Sequence, residues 1–129
     1  MRPPSEALVL FGIDHDRNSW SVLFFDSEMH KGERIADMEQ RTFASYSVVE
    51  ENIFVVGGST AQQTYSTCVE EFSVRERRWL RRAPLTVGRK WHAAAVVRAG
   101  DAGQTLLGVF GGNHGDACEN QISSCEVYN

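Results

Sequence analysis

The sequence predicts an all-β fold, and three observations carry the prediction. The apolar stretches are short and rich in Val, Phe, Tyr and Trp, which suits strands. Helical periodicity is nearly absent. Two of the runs stop on a double glycine, "NIFVVGG" at 52–58 and "LLGVFGG" at 106–112, fifty-four residues on. Recurrence at such an interval marks an internal repeat.

In chain order the expected strands are "ALVLFG" (7–12), "WSVLFFD" (20–26), "FASYSVV" (43–49), "NIFVVGG" (52–58) and "STCVEEFSV" (66–74). They continue with "RRWLRR" (77–82), "WHAAAVV" (91–97), "TLLGVFGG" (105–112) and "SSCEVYN" (123–129). Polar or glycine-containing segments separate them. "VEENI" and "SVRERRW" read as tight hairpins and "RAGDAG" as a longer turn, giving a meander of sequential antiparallel strands.

Bulk properties narrow the function. With 129 residues, 42% of them hydrophobic, the chain suits one packed domain. A net charge of −4, from 17 acidic and 13 basic side chains, argues against nucleic acid as the partner. No apolar stretch approaches the ~20 residues of a membrane-spanning helix, so no membrane partner is expected. The start, "MRPPSEALVLFG", has too short an apolar run for a secretory signal. Three cysteines, an odd number, read as reduced thiols in the cytoplasm. Cys68 and Cys125 are expected as small core residues, with a Cys118–Cys125 pairing as the alternative.

The repeat can be aligned residue by residue. "VLFFD" (22–26), "VEEFS" (69–73) and "CEVYN" (125–129) share an aromatic followed by a small or polar residue: Phe25, Phe72 and Tyr128. Thirteen residues after the aromatic stand Met38 and Leu85, each with an alanine two positions earlier. Then come Arg41 and Arg89, and two residues beyond each arginine an aromatic, Phe43 and Trp91. A Val-Val strand follows, and then Gly57-Gly58 or Gly111-Gly112. Trp79 lies seven residues after Phe72. The first copy departs from the pattern: Gly12 is followed by Ile13, and Gly32 stands where the Trp belongs.

This pattern resembles the kelch repeat, the ~50-residue unit that forms one blade of a β-propeller. The resemblance implies four-stranded antiparallel blades, divided approximately as 1–38 (partial), 39–85 and 86–129 (partial). Two and a half blades cannot close a ring, so an incomplete ring is expected: a fragment, or a chain that assembles with others. The resemblance gives Gly57, Gly58, Phe72, Trp79, Arg89, Gly111, Gly112 and Tyr128 structural roles. The glycines would allow close approach between blades, with the aromatics packed between them.

The remaining polar motifs have bland structural readings. "DHD" (14–16) reads as a polar turn, because a metal site needs three or four converging ligands. "NHGDACEN" (113–120) reads as a variable loop. His92 reads as a hydrogen-bonded histidine. The glycine doublets lack the Gly-Lys-Ser/Thr of a phosphate loop. Five arginines between 75 and 82 read as a solvated rim that discourages edge pairing. No catalytic residue, metal or cofactor is expected.

The expected function is protein interaction, through loops on one mouth of the blades. Phe43, Thr60, Gln62, Tyr65, Trp91, Asn113 and His114 are the candidate contacts for a protein or peptide partner. "APLTVGR" and "VEEF" look most like the kelch-like group that carries BTB and BACK domains upstream. That resemblance implies substrate recognition for a cullin-based ubiquitin ligase, assembled through domains outside this chain. The alternatives are an actin-binding kelch protein and part of a kelch-type propeller enzyme, an oxidase or a sugar-acid epimerase.

Overall fold

A computed structural model describes residues 7–26, 32–99, 104–114 and 125–128. Among the described residues there are strands and no helix. The chain forms two compact units, 1–40 and 41–129.

The first unit is a three-stranded antiparallel sheet in chain order: β1 (Ala7–Asp14), β2 (Ser19–Asp26) and β3 (Glu33–Asp37). Gly12 lies inside β1, opposite Ser21, and does not end the strand. β1 and β2 close directly over a turn in which the Asp14 carboxylate accepts from the Asp16 amide at 3.0 Å. The "DHD" stretch is therefore this turn. Gly32 lies under the ring of Phe25, and a β-carbon there would strike that ring. β3, "ERIAD", is a strand the sequence does not announce, since Ile35 is its one strand-forming residue. It is held to β2 by a hydrogen bond from Arg34 Nε to buried Ser21 Oγ at 3.2 Å, besides its ladder.

The second unit opens with the short pair β4 (Arg41–Thr42) and β7 (Ser59–Thr60). Its four-stranded antiparallel sheet follows chain order: β5 (Ser45–Val49), β6 (Asn52–Val56), β8 (Val69–Ser73) and β9 (Arg78–Arg81). A three-stranded sheet comes next: β10 (Ala93–Ala99), β11 (Gln104–Phe110) and β12 (Cys125–Tyr128). β10 packs beside β5. Val56 and Val69 from one sheet, Leu107 and Val109 from the other, and Leu85 from the loop between them form one buried cluster. Leu85, only 3% exposed, therefore joins the two sheets.

The arginine-rich hairpin is partly paired. Arg82 Nε donates to Glu71 at 2.6 Å, and Glu71 is buried and also accepts from Asn52 at 2.6 Å. Arg78 pairs with Glu76 on the exposed turn. Phe72 is fully buried, and half-buried Trp79 is its register partner, with ring centroids 4.9 Å apart. Trp79 thus packs on its own sheet's aromatic.

Two strand limits differ from the sequence expectation in a way that matters for the site. Phe43 and Trp91 were expected as the first residues of strands 43–49 and 91–97. Both precede their strands and take left-handed backbone, at φ 59° and 55°. The reversal lets the arginine two residues earlier turn inward while the aromatic turns outward.

Candidate functional site

The two arginines build the frame. Arg41 Nε donates to the Gly57 carbonyl at 2.8 Å, Nη2 to the Cys68 carbonyl at 2.5 Å and Nη1 to Glu70 at 2.8 Å. In the next copy Arg89 Nη1 donates to the Gly111 carbonyl at 3.0 Å and Nη2 to Glu126 at 3.0 Å. Gly57 and Gly111 are equivalent, as are Glu70 and Glu126, so the same clamp occurs twice. Arg89 is wholly buried and Arg41 is 4% exposed. Buried cations need this degree of pairing, because desolvating an unpaired charge is prohibitive. Burial pushes the Glu126 carboxyl up in pKa. Donation from Thr86 and Val87, together with the Arg89 guanidinium, outweighs that and holds it below its ordinary value.

The glycine doublets fit inside this frame. All four glycines have positive φ, from 64° to 97°. A β-carbon on Gly57 would stand 2.6 Å from the Arg89 carbonyl oxygen and 2.7 Å from the His92 ring. One on Gly58 would meet the Thr42 carbonyl at 2.6 Å, and one on Gly112 the Lys90 carbonyl at 2.7 Å. Both requirements, left-handed backbone and close approach, exclude a side chain. Gly58 also donates its amide to the Arg89 carbonyl at 2.7 Å.

His92 lies where the two copies meet. Its Nε2 is 2.9 Å from Ser45 Oγ, and its Nδ1 is buried without a hydrogen-bond partner. Burial lowers its pKa from 6.5. The Val56 carbonyl opposes that without completing a hydrogen bond to Nδ1, and the charges of Arg89 and Arg41 lower it further.

The frame presents an aromatic surface. Phe43 and Trp91 are 53% and 56% exposed, and their ring centroids are 5.2 Å apart at 57°. Lys90 Nζ stands 4.4 Å from the Trp91 ring centroid, 4.8 Å from that of Tyr65 and 5.6 Å from that of Phe43. His114 meets Tyr65 edge-on, centroids 6.2 Å apart. Asn113 fixes Lys90 through a bridge of two backbone hydrogen bonds, at 3.1 and 2.8 Å. Phe43, Tyr65, Trp91, Asn113 and His114 are therefore gathered around Lys90. Thr60 and Gln62 belong instead to a separate turn. Thr60 and Gln63 exchange backbone and hydroxyl hydrogen bonds, and Gln62 is exposed within that turn.

Lys90 is the central residue the sequence did not single out. It stands between two motif residues, Arg89 and Trp91, and a lone lysine on a loop carries no spacing signal. Glu70 and Glu126 were visible only as part of the "VEEF"-type strand, not as arginine partners. The Tyr128 side chain, Cys118 and most of "NHGDACEN" lie outside the described residues. Among the described residues no cluster of three His, Cys, Asp or Glu could hold a metal ion.

Residues 40–86 match the Kelch motif. The matched segment contains the whole four-stranded sheet β5–β6–β8–β9, which has the form of a propeller blade. It runs from the residue before Arg41 to the residue after Leu85, so both the clamp and the joining leucine fall inside it. No curated protein matches the chain.

Proposed function

We propose that the chain is a protein-interaction module of kelch-repeat type, with its docking surface on Phe43, Tyr65, Lys90 and Trp91. Kelch repeats in general mediate protein binding. The location of the surface rests on one observation: two bulky aromatics, at equivalent places in successive copies, are held in left-handed backbone with more than half of each exposed. Such backbone costs on the order of 1–3 kcal/mol at each residue. Outward display of the rings returns little of that cost to the fold. Strain kept in order to present aromatic area fits a contact surface, where large aromatics supply most of the binding energy.

A finer reading makes this surface the substrate-recognition part of a cytoplasmic cullin-based ligase adaptor. The "APLTVGR" and "VEEF" segments support it through their likeness to kelch-like proteins. The docking surface is tested with a random peptide library panned on the wild-type chain. Selected peptides should bind a Phe43→Ala/Trp91→Ala variant at least about tenfold more weakly, while its unfolding midpoint stays near the wild-type value. Equal binding to both chains would remove the proposed site.

A further inference from the structure

Among the described residues, the cation at the centre of the aromatic surface has no anion. We infer that the surface takes a partner segment in which an Asp or Glu carboxylate stands beside an apolar side chain, with Lys90 as the carboxylate's anchor. The inference rests on the docking reading above.

Lys90 is rigidly placed at its backbone. Asn113 brackets it from one side, and the residue before it, Arg89, is clamped to Gly111 and Glu126. Its ammonium lies over three ring faces. Ring faces attract the charge but leave its three N–H donors without lone-pair acceptors. Among the described residues no carboxylate pairs with Lys90, since Glu70 and Glu126 are held by Arg41 and Arg89. Lys90 is half-buried, so part of it stays open to water.

A partner that covers Phe43 and Trp91 strips that water away. If it brings no acceptor, a desolvated, unpaired cation remains, and binding suffers. If it brings a carboxylate, the ammonium gains a charge-assisted hydrogen bond in a site of low dielectric. The surface therefore selects for acid beside apolar. The competing occupant is an incoming cation that takes the ring faces itself. It would have to expel Lys90, which is tethered within reach of all three rings and so competes at high effective concentration.

The test pans the same random peptide library on the full chain and on Lys90→Glu, at about physiological ionic strength. Peptides whose binding depends on Phe43 and Trp91 should be enriched in Asp or Glu next to an aromatic or aliphatic residue. They should lose about tenfold or more on Lys90→Glu and retain most of their binding on Lys90→Arg. The Lys90→Glu chain should itself select Lys- or Arg-bearing peptides, and matched melting curves would show that both variants fold. Peptides that need both rings but show no acidic preference would overturn this inference and leave the docking surface standing. Enrichment of Lys- or Arg-bearing peptides on the wild type would also overturn it, because the rings would then be accepting a foreign cation. If no selected peptide depends on Phe43 and Trp91, the docking surface and the inference both fail.

Discussion

Arg89, wholly buried, donates from Nη2 to the Glu126 carboxylate at 3.0 Å across thirty-seven residues of chain. Removing only one member strands the other's charge in the interior. Glu126→Gln or Arg89→Met should therefore cost about 3–5 kcal/mol. Arg78→Ala, which breaks the exposed pair with Glu76, should cost less than about 1 kcal/mol. Urea titration of the three variants measures the contrast, and similar midpoints for all three would contradict the clamp.

The glycine doublet gives a sharper contrast within one residue type. Gly57→Ala places a β-carbon against the Arg89 carbonyl at a positive φ, and should destabilise by more than about 1 kcal/mol. Gly12→Ala meets nothing within 4 Å, so the same substitution should be neutral or stabilising by up to about 1 kcal/mol. Thermal melting of the pair checks this.

Trp91 separates display from packing. Trp91→Gly removes the ring and relieves the left-handed backbone, while glycine adds freedom to the unfolded chain. The two effects oppose each other, and stability should stay within about 1 kcal/mol of wild type. Binding of a selected peptide should weaken by about 2 kcal/mol. A much lower melting temperature would instead make Trp91 a core residue.

Leu85 should behave in the opposite way. Leu85→Ala empties a place between two sheets and should cost about 2–5 kcal/mol, read from denaturant unfolding. Peptide affinity measured below the unfolding transition should change little.

His92 makes stability depend on pH. Its folded pKa lies below the unfolded 6.5, so the folded state prefers the neutral ring. Its contribution to stability is complete above 6.5 and is lost as the pH falls from there through the lower folded value. Melting temperature should fall over that range in the wild type. It should fall less in His92→Gln, which cannot charge and can keep a hydrogen bond to Ser45. Parallel profiles for the two chains would show that His92 is not the group responsible.

The strands and the repeat were legible because local pattern encodes them. Short apolar runs rich in β-branched and aromatic residues announced β1, β2, β5, β6, β8, β9, β10, β11 and β12 to within a few residues. β3, β4 and β7 were not visible. They are short or polar, and pairing partners elsewhere in the chain create them. The doublets were recognised as sites of close approach, but their positive φ, and the carbonyls that need the space, came only from the structure. The aromatic surface was half legible. Phe43 and Trp91 stood out by their equal offset from an arginine, whereas Lys90 acquires its role from three rings that are distant in sequence. No spacing rule joins residues 43, 65 and 90.

The two clamps also differ in one respect. Arg41 reaches the carbonyl of its doublet across 16 residues, and Arg89 across 22. Both reach a doublet carbonyl and a glutamate, and part of the additional length goes into the longer strands β10 and β11. Hairpin length is thus decoupled from the geometry of the end that carries the rings. Insertions at the far tip of the β5–β6 hairpin should be absorbed there, which makes residues 50–51 a natural point for grafting a tag or reporter without moving the aromatic surface.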